Sequence, residues 1–298
     1  MRKTILDVLH QALITRTPLD ALPDGVWTRT GALNTWGTNA IEGNTLSRED
    51  VERLLLERQT VGNRPVSDVV ETLQHASAFA GLLARRAEPI RATTARELHE
   101  AVFRGVHPDA GQWRRMNVRI AGMKHVPPRM EHVPLLMSEW EESYAKRDLR
   151  GEDPLSLGSS MHFEFESVHP FADGNGRVGR LLLNLHFLKH NWPPVHVLPM
   201  DRDSYLAALV AGHAGDLAEM EGFLRAAMAR SLLDLLDQVG TKEDALTPLR
   251  SLARKSPHSA KYLGLRSSQG ELPAVKVAGD WQSSERALLA YLSLVGRG

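Results

Sequence analysis

The sequence has no cysteine among its 298 residues. A disulfide scaffold, a thiolate zinc site, an iron–sulfur cluster and a cysteine nucleophile are excluded together. An excess of either charge is also missing: 36 Lys and Arg face 36 Asp and Glu. No global field draws the chain to nucleic acid or an anionic membrane, so any basic surface must be local. Aromatic residues are few, at 6%, and the six tryptophans are scattered as packing residues. The nearly apolar run LLLNLHFL at 181–188 is far short of the ~20 residues that span a bilayer. The opening residues start basic, but Asp7, His10, Gln11 and Arg16 interrupt their apolar run. A signal peptide needs roughly 7–15 apolar residues together. An amphipathic helix is expected there, in a cytoplasmic protein with no membrane partner.

What is present is globular material, 42% hydrophobic and 24% charged, enough for a full core and about two domains. Helical periodicity dominates. Leu6, Leu9 and Leu13, then Val51, Leu54 and Leu55, recur at helical spacing. Residues 67–86, 92–104, 133–147, 155–168, 177–190, 203–212 and 216–238 read the same way. Helix caps are expected at Ser47 with Asp50 three residues on, at Ser67 and at Asp203. Residues 117–126, NVRIAGMKHV, alternate around Gly122 and predict one β-hairpin. The fold class is therefore mainly α.

The composition shifts near 239, where Gly240 suits a helix C-terminus and TKED follows as a connector. Residues 241–298 hold nine Lys or Arg against five Asp or Glu. The pattern there predicts a helix over 246–254 and a second opened by Ser256-Pro257. A hairpin LPAVKV-AGD-WQSS follows, and then a last helix SERALLAYL.

The chemistry concentrates in HFEFESVHPFADGNGRVGRLLLNLHFLKH, residues 162–190. One helix ends near Val168, a short loop follows, and a new helix is expected to open at Arg177. Gly174-Asn175-Gly176 is a tight turn whose successive N–H groups can form an anion nest, emptying into a helix N-terminus that also favours anions. Arg177 and Arg180 stand at i and i+3, where two cations oppose the helix dipole. That placement asks for an external polyanion such as a di- or triphosphate. Asp173, the one carboxylate in the loop, suits Mg2+, which takes one or two carboxylates plus phosphate oxygens and water. His169 suits a general base for an attacking hydroxyl. Phe171 is expected to point inward. A lone histidine before a helix, or a lone GNG, is usually structural. Eight specified positions together arise by chance on the order of once in ten billion start sites, at about 1/20 per position.

HPFADGNGRVGR resembles the Fic motif HxFx(D/E)GNGRxxR at every specified position. WRRMNVRIAGMKHVPP at 113–128 resembles the hairpin flap that precedes the motif in that family, and the likeness runs over roughly residues 30–230. The resemblance implies a Fic-fold helical core with a small β-hairpin flap, and transfer of AMP from Mg-ATP to a Ser, Thr or Tyr hydroxyl of a protein target. By it, His169 is the base and Asp173 holds Mg2+. Gly174, Asn175 and Gly176 form the anion hole, Arg177 meets the phosphates and Arg180 the γ-phosphate. Met123, Lys124, His125 and Val126 clamp the target as an added strand.

TWGTNAIEGNTL at 35–46 reads in isolation as a helix end and a turn. Beside a Fic core it resembles the family's inhibitory helix, (S/T)xxxE(G/N), through Thr38, Glu42 and Gly43. That likeness implies that Glu42 pairs with Arg180 and represses transfer, with deAMPylation as a second activity. The tail resembles winged helix-turn-helix modules, which serve DNA binding, dimerisation or target docking. Three domains are expected: an N-terminal helical region with the inhibitory motif (1–110), the Fic core (111–239) and the winged-helix-like tail (240–298). The other histidines lack HxH or HExxH spacing, so zinc is not expected. Two alternatives stay open. One is a nucleotide-sensing transcriptional regulator that binds DNA through 241–298. The other is transfer of a different nucleotide or phosphate group.

Overall fold

The computed structural model describes residues 4–120 and 123–295. In chain order its longer helices begin with α1 (Ile5–Arg16), α2 (Asp24–Ile41), α3 (Arg48–Leu55), α4 (Val66–Arg85) and α5 (Ala92–Phe103). Next come α6 (Val133–Leu149), α7 (Pro154–Val168), α8 (Asn175–Lys189), α9 (Arg202–His213) and α10 (Ala218–Val239). The tail adds strand β1 (Thr247–Pro248), α11 (Leu249–Leu252), α12 (Ala260–Ser268), β2 (Val275–Val277), β3 (Asp280–Ser283) and α13 (Glu285–Val295). The chain is mainly α, as the periodicity predicts. No helix among the described residues is long and apolar enough to cross a membrane.

Packing divides the chain into two units. One holds residues up to 26, 191–193 and those from 225 on; the other holds 27–190 and 194–224. In the larger unit, α8 is buried on nearly every face and packs against α7, α4 and α5. A helix buried on nearly every face runs through the centre of a core, and its buried polar groups then need partners. Here Val178, Leu181, Leu182, Leu185 and Phe187 supply the apolar surface, with Phe79, Phe103, Phe165 and Phe171 fully buried in the same unit. α7 starts cleanly because Asp153 accepts from the Ser156 N–H and Pro154 needs no donor at the first position. Ser47 and Asp50 make the expected capping box of α3. Ser67 and Asp203 instead fall inside their helices: Pro65 leads into α4, and a 3-10 turn at Pro199–Asp201 leads into α9.

Among the described residues of 117–126 no strand forms where the hairpin is expected. Met123 N–H donates to Ile120 O at 3.2 Å. Ala121 and Gly122 lie outside the described residues, and among the described residues neither arm forms a ladder.

In the smaller unit, β3 lies between β1 and β2 in an antiparallel sheet. Ala278 and Gly279 both have positive φ, at 50° and 89°, the geometry of a tight two-residue hairpin turn. Leu249, Leu252, Leu263, Leu272, Leu288 and Tyr291 make its core. Two expectations are corrected. α12 is capped by Ser259, whose side chain accepts from Tyr262 N–H, and not by Ser256-Pro257. The helix expected over 246–254 is reduced to α11 and a 3-10 turn, because Thr247 and Pro248 pair with β3.

Candidate active site

The loop between α7 and α8 is held by two left-handed residues. His169, at φ 50° and ψ 61°, ends α7; Gly174, at φ 78°, caps α8. Only glycine suits the second place, since a Cβ there would lie 2.2 Å from the Phe103 ring. Asn175 closes the loop on itself: its Oδ1 accepts from Phe171 N–H at 2.8 Å and its Nδ2 donates to Phe171 O at 2.9 Å. Phe171 is buried as expected, stacked on His99 at 3.9 Å and against Trp113 at 5.0 Å. These ties start α8 at Asn175, two residues earlier than GNG's weak helix propensity suggests. Arg177 is thus the third residue of the helix and Arg180 the sixth.

The two arginines share a helix but not a partner. Arg180 is 4% exposed; its Nε donates to Thr38 Oγ1 at 2.6 Å and its Nη2 to Glu42 Oε1 at 2.6 Å. Burial alone would lower its pKa, but Glu42 and Tyr205 more than offset this and raise it. Glu42 follows the last residue of α2, and Gly43, at φ 91°, turns the chain away. A Cβ on Gly176 would meet Glu42 Oε1 at 2.2 Å. The carboxylate therefore lies against the backbone that opens α8, where an anion is most favoured. Arg177, also buried, pairs with Glu71 of α4, and its Cζ stands 4.4 Å from the Phe103 ring centre.

Asp173 is not the only carboxylate at the site, because Glu42, Glu71 and Glu166 join it from other parts of the chain. Its own carboxylate is 62% exposed, with Oδ1 accepting from Gly174 N–H and Oδ2 3.4 Å from Arg177 Nη2. Gly111 N–H donates to His99 Nδ1 at 2.9 Å, so Nε2 carries the ring proton and donates to Asp173 O at 3.1 Å.

His169 faces the same space with 19% of its side chain exposed. Burial, opposed by the Glu166 carbonyl and the Glu42 charge, pulls its pKa down to about 4, so the ring is neutral and able to accept a proton. Its carbonyl accepts from Arg114 Nε at 2.9 Å, and Arg114 also donates to Met116 O and Pro128 O. One buried arginine thus ties both ends of the flap segment to the histidine. Glu166 Oε2 lies 3.9 Å from His169 Nδ1. Burial, with Glu42 adding and Arg180 opposing, pushes Glu166 up to about 8. In the flap, His125 bonds Ser167 O at 2.9 Å and stacks on His213, while Lys124 and Val126 are exposed and Met123 is half-buried. Sequence reasoning missed Glu71, His99, Arg114 and Glu166. No local spacing marks them, since each acts on a segment folded against it.

The buried histidines set the acid limit of the fold. Burial pushes His75, His162 and His186 to about 3, and His99 and His169 to about 4. Below pH 6.5 the unfolded chain binds protons on these five rings and the folded chain does not. Their contribution to stability is therefore full above 6.5 and is lost as pH falls toward 4. Glu166, raised when folded, offsets one of the five. Urea unfolding at pH 7, 6 and 5 is expected to show a steeply falling midpoint; a level midpoint would contradict the neutral buried rings.

Residues 89–187 match the model of the Fic/DOC family. A protein adenylyltransferase Fic of Nematostella vectensis is 28% identical over 199 residues, covering 65% of this chain and 46% of that protein. One from Drosophila ananassae is 30% identical over 190 residues, covering 63% and 38%. The chain thus spans less than half the length of these curated relatives. A Fic domain containing signaling protein from Bacteroides thetaiotaomicron superposes with a TM-score of 0.71 at 23% identity, over 78% of this chain and 97% of that one. The helical core around α8 and its loop define a Fic-type fold. Over residues 89–187 the chain is similar to the Fic/DOC family.

Proposed function

We propose that this chain is a protein adenylyltransferase that moves AMP from Mg-ATP to a hydroxyl of a protein target and is restrained by Glu42. The observation that carries the reading is Glu42 itself. A carboxylate of the chain lies against the opening backbone of α8 and pairs with Arg180 at 2.6 Å. An internal anion there marks a site built for an external one.

In this reading the α8 N-terminus and Arg180 bind and orient the triphosphate once Glu42 has left. His169 takes the proton from the target hydroxyl, whose oxygen bonds to the α-phosphorus as the α–β phosphoanhydride breaks and pyrophosphate departs. Positioning and charge stabilisation supply most of what phosphoryl-type transfer needs. Asp173 fits Mg2+ by its exposed oxygen donors at the mouth of the nest. Among the described residues no group of three His, Asp or Glu forms a closed cage, and Mg2+ needs none when phosphate oxygens and water complete its shell. The metal would neutralise phosphate charge. Residues 123–126 are the target-docking segment, with Glu42 orienting water for deAMPylation in the reverse direction.

The regulator reading gains little from the tail, where Lys255, Arg266 and Arg286 are already engaged by Glu285, Glu271 and Asp244. The test is incubation of the purified chain with Mg2+ and α-labelled ATP, UTP, GTP and CTP in turn, using the Glu42→Gly variant. Label on protein from ATP is expected. Label from another nucleotide alone would reassign the donor, and no label with ATP bound would favour sensing.

A further inference from the structure

Arg177 is buried with its Nη1 engaged, while its Nε has no partner among the described residues. Glu71, the sixth residue of α4 and 17% exposed, neutralises its charge. Phe103 covers one face of the guanidinium, and the side chain is 6% exposed. Arg177 Nη2 lies 3.4 Å from Asp173 Oδ2. Gly174 N–H holds Oδ1 of this carboxylate at 2.7 Å, and Arg177 is the side chain that meets Oδ2, on a group that is 62% exposed. His99 of α5 holds the same residue by its backbone carbonyl.

We propose that Glu71 is a positioning residue for Asp173, acting through Arg177, whose Nη2 guides this carboxylate. The assignment rests on reading Asp173 as the Mg2+ ligand. The two arginines of α8 then divide the work. Arg180 is paired with Glu42, which lies beyond the end of α2 and can leave; Arg177 is paired with a mid-helix glutamate that cannot leave without stranding a buried charge. Partners that orient a metal ligand from behind are typically worth 10–100-fold in metal affinity.

The test uses the whole chain carrying Glu42→Gly, with Mg2+ titrated against a non-hydrolysable ATP analogue and binding followed by calorimetry. Adding Glu71→Gln is expected to raise the Mg2+ concentration for half-maximal binding about tenfold while leaving metal-free analogue affinity within about twofold. Arg177→Lys, which keeps the charge and loses the reach, is expected to do the same. It carries the test if thermal melting shows Glu71→Gln unfolded. A merely structural role would lower both affinities together. The proposal is overturned if Mg2+ dependence is unchanged in the folded variants, or if metal-free affinity falls in step, which would leave the Glu71–Arg177 pair no separate role at Asp173. Asp173→Asn separates the premise: no change in Mg2+ dependence there would remove the metal reading itself.

Discussion

Replacing Glu42 by glycine is expected to raise labelling of protein from α-labelled ATP about a hundredfold over the unaltered chain. To seat a γ-phosphate on Arg180, the unaltered chain must first break the Arg180–Glu42 pair, with Arg180 4% exposed and Glu42 33% exposed. Removing one partner of a fully buried pair costs about 3–5 kcal/mol. The partial exposure of Glu42 brings this nearer to about 3 kcal/mol, and each 1.4 kcal/mol is tenfold in rate. The same substitution leaves Arg180 buried without its counter-charge, so the variant is expected to melt at a lower temperature and to recover on adding ATP or phosphate. A gel assay and a thermal melt on the same preparation check both. Loss of stability with no gain in labelling would reduce Glu42 to a structural partner.

Adding His169→Ala to Glu42→Gly is expected to lower labelling by about 10²- to 10⁴-fold, the usual range for a positioned base. Nucleotide binding should survive, because the anion site is made by the start of α8 and Arg180, not by the imidazole. The low pKa of His169 adds a second signature. With the ring neutral down to about pH 4, kcat/KM in Glu42→Gly should show no loss between pH 8 and 6. Removal of Glu42, whose charge raises that pKa, reinforces this. Retained labelling in the double variant would assign the proton acceptor elsewhere, and Glu166, 3.9 Å away, would be examined next.

The long helices were legible because their apolar spacing is local, and 155–168 and 203–212 read from the sequence fall within a residue or two of α7 and α9. The loop was legible because its parts are contiguous: His169, Asp173, Gly174, Asn175, Gly176, Arg177 and Arg180 all lie within twelve residues. What stayed hidden depends on partners far along the chain. Glu71 meets Arg177 across 106 residues, and neither residue type announces the other. α8 starts at Asn175 and not at the expected Arg177 for a related reason. Glycine and asparagine are poor helix formers alone, but Phe103 and Phe171 hold them in one turn. Ser256-Pro257 offers the stronger local cap pattern, yet Ser259 is the residue that caps α12.

The tie between Glu42 and Arg180 is intramolecular, and this sets how it can be undone. A tethered anion competes at an effective concentration fixed by chain geometry, commonly millimolar or more for short connections. Diluting the protein does not weaken it, and a soluble nucleotide must exceed it simply to share the site. Glu42 sits just beyond the last turn of α2, where N–H groups of Glu42 and Gly43 bond back to Asn39 and Ala40. Helix ends open at far less cost than whole helices move. Under the proposed restraint by Glu42, fraying of a single turn would therefore lower the local concentration of this carboxylate without disturbing the core around α8.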